Sequence, residues 1–332
     1  MGKVAQNKSG IVADLPRACS DELAAVEFLE RQRWNSDAAC PRCGVTDVHQ
    51  MLGRDGQRNK RFLWLCRGCG EQFTVRIGTV FEDSRIPLKH WCYAFWAACA
   101  SKKGVSALQI KRQTGLSYKS ALFLMHRIRY AMTETPQGPL GGIVEADETY
   151  VGGKPRGKKI MKVLVQEGAR TRTIYKRGPA RDRLQRKTPV MALVQRGGDV
   201  RALVPTHVSS TTLGRFVREN VSPDAHLMTD ELGPYRTIGR EFAKHSTVTH
   251  SRHEYARGDV TTNTIEGFFA LLKRGLIGTF HSVSRRHLHR YVGEFAFRWN
   301  YRRVDDGART CAAIRGAEGK RLFYRDPRTA GK

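Results

Sequence analysis

Cys40-Pro41-Arg42-Cys43-Gly44 and Cys66-Arg67-Gly68-Cys69-Gly70 are matching knuckles with 22 residues between them (66 − 43 − 1), and no other feature of the chain restricts its local fold so tightly. A tight turn after each first cysteine lets two thiolates face one ion, and the glycine behind it permits the left-handed backbone that such a turn demands. Two knuckles therefore make a four-thiolate set for one structural Zn2+: Cys40, Cys43, Cys66 and Cys69. Between them Arg61-Phe62-Leu63-Trp64-Leu65 alternates in the manner of a β-hairpin, so residues 36–80 are expected to form a zinc ribbon behind an N-terminal helical lead-in, residues 1–35. A segment this small has little core of its own, and the metal should supply its folding energy. Cys19, Cys92, Cys99 and Cys311 have no partner at ligand spacing and are expected to be ordinary thiols.

The 58 Lys and Arg against 31 Asp and Glu leave a formal charge of +27, spread along the whole length. Solubility is the plainest explanation of such an excess, but its size points to nucleic acid as the partner. No stretch approaches the roughly 20 apolar residues of a membrane-spanning helix, and Met1 to Ser20 lacks the apolar centre of a secretory leader. The expected location is the cytoplasm, on the nucleoid when bound to DNA, where thiols stay reduced and cysteines are metal ligands before they are disulfides. The length of 332 residues leaves room for two or three domains.

From residue 87 to 135 the apolar positions fall at helical spacing: Trp91, Phe95 and Trp96, then Leu108, then Leu122, Met125, Ile128 and Met132. Ser106 with Gln109 has the form of a capping box, Gly115 ends one helix and Ser117 opens the next. The result is a helix-turn-helix pattern. Its second helix carries Lys119, Arg127 and Arg129, the expected major-groove contacts; a small bundle with a solvated basic face is the competing explanation.

After Pro136-Gln137-Gly138-Pro139 the texture turns strand-like, which sets a domain boundary near Leu140. Asp147 lies in the run Ile143-Val144-Glu145-Ala146-Asp147, Asp230 ends Ala225-His226-Leu227-Met228-Thr229-Asp230, and Glu266 falls in the first turn of a helix, 35 residues further on (266 − 230 − 1). Aspartate is disfavoured inside a strand, so Asp147 calls for a role. Three separated acids in a basic chain suggest divalent metal held against phosphate. Oxygen ligands suit two Mg2+ (or Mn2+), with Asp147 shared by both ions, Asp230 on the first and Glu266 on the second. Two such ions activate the attacking oxygen and relieve charge on the leaving one. Each acid has a plainer alternative: Asp230 can open a turn, and Glu266 can pair with Asn263 to cap the helix. Glu148, on the other face of its strand, is expected at the surface or behind the ligands.

The elements expected across residues 140–304 run three strands, helix, strand, helix, strand, helix, the order of a ribonuclease-H-like α/β domain. Within it residues 154–188 hold thirteen Lys or Arg and two acids, a basic insertion expected to be mobile and to serve either as a solvated linker or as a DNA clamp. The helix from Ser284, with Leu288, Tyr291, Val292, Phe295 and Trp299, is expected to close this domain's core, and residues 305–332 to be a loose C-terminal tail.

The motifs Ile143 to Gly153, Thr229-Asp230, Thr262-Asn263-Thr264-Ile265-Glu266-Gly267-Phe268-Phe269 through Leu272-Lys273-Arg274-Gly275, Gly278-Thr279-Phe280-His281 and Phe297-Arg298-Trp299-Asn300 resemble the DDE transposases of bacterial insertion sequences, over roughly Cys40 to Arg303. The resemblance implies binding of transposon terminal inverted repeats, metal-dependent phosphodiester cleavage and strand transfer by Asp147, Asp230 and Glu266. It implies DNA contacts by Lys273 and Arg274, Asn263 as an alternative third ligand, and at least a dimer on DNA. Two other readings stay open: a catalytically inactive zinc-ribbon regulator, and a structure-selective DNA nuclease.

Overall fold

The computed structural model describes residues 8–35, 37–135, 137–152, 160–167, 170–177, 187–249, 251 and 256–323. It divides into two compact units, one of residues 1–138, 198–200 and 267–332, the other of residues 139–197 and 201–266.

In the first unit α1 (Lys8–Ser20) and α2 (Glu22–Trp34) precede the ribbon, with Asp21 capping α2 by accepting from Ala24 N at 2.7 Å. The ribbon itself is a three-stranded antiparallel sheet, β1 (Val48–Gln50), β2 (Trp64–Cys66) and β3 (Gln72–Phe73). Both knuckles close as their glycines predict: Gly44 N donates to Cys40 O and Gly70 N to Cys66 O, each at 2.9 Å, at φ 77 and 72. Trp34, Trp64 and Phe73 pack around the buried Cys40 and Cys66. Glu30 of α2 binds Arg58 and accepts from Trp64 Nε1 at 2.7 Å, tying ribbon to helix. The helices α3 (Leu88–Ala100), α4 (Ala107–Thr114) and α5 (Tyr118–Ala131) follow. Ser106 Oγ accepts from Gln109 N at 3.1 Å, Gly115 is left-handed at φ 72, and Ser117 Oγ accepts from Ser120 N at 3.2 Å, so the α4–α5 turn is the one its local residues specify.

The second unit is built on a mixed sheet. Its strands are β4 (Ile143–Val151), then, after the two-stranded antiparallel β5 (Ile160–Glu167) and β6 (Arg170–Arg177), β7 (Thr188–Gln195) and β8 (Val200–Leu203). There follow α6 (Ser210–Asn220), β9 (His226–Thr229), α7 (Gly233–Ile238), β10 (Lys244–Thr247), the short pair β11 (Ala256–Arg257) and β12 (Val260–Thr261), and α8 (Asn263–Gly275). The order across the sheet is β10-β9-β4-β7-β8, with β4 antiparallel to β7 and parallel to β9. With the two separate two-stranded pairs set aside, the five sheet strands and the helices run β4, β7, β8, α6, β9, α7, β10, α8, the succession expected from the sequence. Leu213, Phe216 and Val217 of α6 and Tyr235 and Ile238 of α7 cover one sheet face at Val144, Ala146, Met191 and Leu193. The β5–β6 pair lies within residues 154–188, the basic insertion of the sequence; its side chains, and residues 153–159, 168–169 and 178–186, lie outside the described residues.

Back in the first unit, α8 ends in a π-helical turn, Leu276–Phe280, and the chain continues into α9 (Leu288–Asn300) and α10 (Asp306–Arg315). Phe297 of α9 and Cys311, Ala313 and Ile314 of α10 join the core built on Trp91, Phe95, Leu124 and Ile128. Two expectations change here. Residues 305–315 are not loose: Asp305 caps α10 by accepting from Ala308 N at 2.9 Å, and α10 buries one face. Phe297 of α9 joins this helical core, while Asn300 at the end of α9 accepts from Val200 N of β8 at 2.8 Å. Arg127 and Arg129 are not offered to a groove, because both are buried. Arg127 donates to Val80 O and Glu82 O at 3.0 and 2.8 Å. Arg129 donates to Glu294 Oε2 at 2.6 Å and lies 4.0 Å from the Tyr291 ring centroid, and Arg298 holds the other oxygen of Glu294. Removing Glu294 alone would strand two buried guanidiniums, the costly kind of ion-pair change at about 3–5 kcal/mol.

Candidate active site and zinc centre

In the parallel ladder of β4 and β9 the last paired residues are Ala146 and Thr229, and the next residue of each strand is an aspartate, Asp147 and Asp230. Asp147 sits in mid-strand, still paired with Ala192 of β7, while Asp230 lies just past the end of β9. Adjacent strands are about 4.8 Å apart, so the two acids are neighbours one step beyond the last β4–β9 pair. Asp147 Oδ1 accepts from Glu148 N at 2.7 Å and Asp230 Oδ1 from Leu232 N at 3.0 Å. The turn-opening role of Asp230 is thus real, and it fixes the carboxylate at the strand end.

Glu145 brings in the third element. It is fully buried, and it shares a strand face with Asp147 two residues on. Its Oε2 accepts from Ile265 N at 2.9 Å and its Oε1 from Thr264 Oγ1 at 2.9 Å, so β4 itself caps the first turn of α8. Arg196 Nε donates to Glu145 at 2.7 Å and its other nitrogens to Asp259 O and Thr261 O at 2.8 and 2.9 Å, holding the approach to the helix. The capping work that competed for Glu266 and Asn263 therefore falls to Glu145. Asn263 is the exposed first residue of α8, and Glu266 is exposed one position past Ile265, accepting from Thr262 Oγ1 at 3.4 Å. Reading the chain alone assigned Glu145 no role; its spacing of two from Asp147 was the available signal.

Glu148 points to the opposite face, where Tyr235 of α7 donates its hydroxyl at 3.0 Å. Burial pushes its carboxyl up to about 7, with the charges of Asp230 and Asp147 adding and the Tyr235 bond opposing. A carboxyl raised by these two aspartates is a direct sign that the three acids share one region. The folded state keeps the proton that the unfolded chain releases near its ordinary value of 4.5, so this group's stabilising contribution is complete below that pH and is lost as pH rises through about 7. Glu148→Gln should remove the dependence: the wild type's folded-to-unfolded ratio relative to the variant should fall between these limits, by at most about tenfold per pH unit, as read from urea midpoints. A flat difference would contradict the raised carboxyl.

The zinc set is compact. Cys40 Sγ lies 3.7 Å from Cys69 Sγ and Cys43 Sγ 3.6 Å from Cys66 Sγ, and all four sulfurs fall within 4.8 Å of one another. Tetrahedral Zn–S bonds of about 2.3 Å place sulfurs roughly 3.8 Å apart, so these residues fit structural Zn2+. Among the described residues this is the group of ligand atoms drawn that close, and Asp147, Asp230 and Glu266 are not gathered to the same degree.

Of the expected DNA contacts, Lys119 is exposed at the start of α5, and Lys273 and Arg274 are exposed in the last turn of α8. Glu266 and Lys273 are seven residues apart on one helix, about 10 Å at 1.5 Å per residue. His250 and His253 lie outside the described residues. No helix among the described residues is long and apolar enough to cross a membrane.

Residues 139–300 match the family model of the ISXO2-like transposase domain, and residues 20–72 match that of the transposase zinc-ribbon domain. An uncharacterized protein in transposable element ISH50 of Halobacterium salinarum is 28% identical over 279 residues, 83% of this chain and 90% of that one. An uncharacterized transposase-like protein of Haemophilus influenzae is 31% identical over 101 residues, 30% of this chain and 80% of its own. Among solved structures, the simian T-cell lymphotropic virus intasome in complex with PP2A regulatory subunit B56 gamma aligns over 59% of this chain and 62% of that one, at 15% identity and a TM-score of 0.26. With both a catalytic-domain and a ribbon match in the order its own residues specify, the chain belongs to the ISXO2-like transposases.

Proposed function

We propose that this transposase binds double-stranded DNA at the terminal inverted repeats of its element, cuts there and joins the freed 3′ end to target DNA, using Asp147, Asp230 and Glu266 to hold two Mg2+ or Mn2+. The observation that carries this reading is the pair of aspartates on neighbouring strands, Asp147 within β4 and Asp230 just past the end of β9, with the first turn of the Glu266 helix bound by Glu145, which shares the Asp147 face of β4. The donor set is all oxygen, which suits hard divalent ions. When bound, such ions lower the cost of deprotonating the attacking oxygen and of charging the leaving one. Asp147, Asp230 and Glu266 would hold these ions, with Asn263 as the alternative third ligand. Glu145 and Arg196 orient the helix; Lys273 and Arg274 offer charge to phosphate. The ribbon and the α4–α5 pair, through Lys119, supply DNA contacts, and the basic insertion adds a clamp. Handling two ends at once calls for at least a dimer.

The test offers the full-length protein a precut duplex end bearing the element's terminal repeat, a plasmid target and Mg2+. A joined product is expected. Binding of the end without cutting or joining in either Mg2+ or Mn2+ would leave a DNA-binding regulator, and cutting of branched DNA without joining would leave a nuclease.

A further inference from the structure

Beside the helix-turn-helix, a cavity of about 410 Å³ opens between α4, α5 and the turn that follows α8. Its wall is shaped by unusual backbone. The π-helical turn at Leu276–Phe280 exits through His281 at φ 57, a conformation uncommon outside glycine, and π turns recur at functional positions. This exit lays Phe280 against Gly104: a Cβ there would stand 2.7 Å from the ring. Phe280 meets Tyr291 edge-on at 4.8 Å, Tyr291 meets His126 at 6.0 Å, and His126 lies 4.7 Å from His287.

Both His126 and His287 line the cavity, and the Nδ1 of each is buried with no hydrogen-bond partner. His126 is only 6% exposed. Buried polar atoms without partners are rare and costly, and these two lie behind one cavity wall, so the rings offer the cavity their remaining edges. Burial holds His126 down at about 3, with Arg129, Arg290, His287 and His289 adding, and burial followed by Arg290, Arg286 and His289 also lowers His287. Neutral imidazoles each present one donor and one acceptor. A phosphate would require cations inside, yet the cation among the lining residues is Arg112, which is exposed. A flat, uncharged, hydrogen-bonding ring suits the interior better. Next to it a second cavity of about 520 Å³ shares Ser106 and Thr279 and is lined by Lys102 and Lys103, a cationic track for a sugar-phosphate backbone.

We infer that the cavity receives an unstacked nucleobase of the bound DNA, its ring against Phe280 and Tyr291 and its edge on His126 and His287. The inference rests on the DNA-binding reading above. The test titrates full-length protein carrying 15N-histidine with a short oligothymidylate and with an abasic oligomer of equal length and charge, following binding by fluorescence anisotropy in parallel. His126→Gln and His287→Gln assign the ring signals. Both oligomers should bind, the base-bearing one about tenfold more tightly, and it alone should move the ring resonances of His126 and His287. Ser282→Trp, at the exposed mouth, should erase the tenfold difference. Equal ring shifts from the two oligomers would make this a phosphate site and overturn the inference, as would binding that moves neither ring. Absence of any binding would show in the anisotropy itself; it would remove the DNA-binding reading and this inference with it.

Discussion

Asp147→Ala and Asp230→Ala are each expected to lower Mg2+-dependent strand cleavage at least about a thousandfold. Metal ions supply several kcal/mol of charge stabilisation, and about 4 kcal/mol corresponds to three powers of ten. DNA affinity should stay within about threefold, because it resides in phosphate contacts spread over a chain of net charge +27. Losing an acid near the bound phosphate even removes a repulsion. Gel-shift and cleavage assays on the same duplex separate the two quantities. Glu266→Ala should follow the aspartates; retained cleavage there, with loss in Asn263→Ala, would hand the third position to Asn263. Retained cleavage in either aspartate variant would remove that residue from the site.

Stripping zinc is expected to have the largest effect on stability. Structural Zn2+ contributes roughly 10–16 kcal/mol of apparent binding energy at neutral pH, while the apolar cluster around it is small: Cys40, Cys66 and Phe73, with Trp34, Val48, Trp64 and Ile77 against them. Without the metal the four sulfurs take up protons and lose the ion that joins the two knuckles, which leaves the antiparallel pairing of Val48 with Cys66 to that small cluster alone. A strong chelator, or Cys66→Ser, should expose Trp64 to solvent quenching and open residues 36–80 to protease, while the β4–β9 sheet keeps its amide protection. A ribbon that resists protease after its zinc is removed would contradict this account.

What could be read from the sequence was what is local. The knuckles carry their glycines beside them, and the α4–α5 turn is written in Ser106, Gly115 and Ser117, all within a dozen residues. Asp147 stood out because it occupies a strand interior, where aspartate is disfavoured, and Asp230 because it closes an apolar strand run. The helix contacts were harder. Periodicity shows that Arg127 and Arg129 share the second helix, but not that Val80, Glu82 and Glu294 come from distant segments to enclose them. Glu145 was hidden in the same way: its partner Ile265 lies 120 residues away in the chain. The last helix escaped notice because Asp306-Gly307-Ala308-Arg309 is a poor start for a helix, and it is the Asp305 cap and one buried face that secure it.

The central claim is that Asp147, Asp230 and Glu266 hold a pair of divalent ions. Mn2+ located by anomalous scattering in crystals of the protein bound to a cleaved DNA end tests it most directly. Two peaks about 3.5–4 Å apart, both within bonding distance of Asp147 and flanked by Asp230 and Glu266, are the predicted result. Manganese elsewhere on the protein, with these three carboxylates unligated while the DNA end is in place, would contradict it.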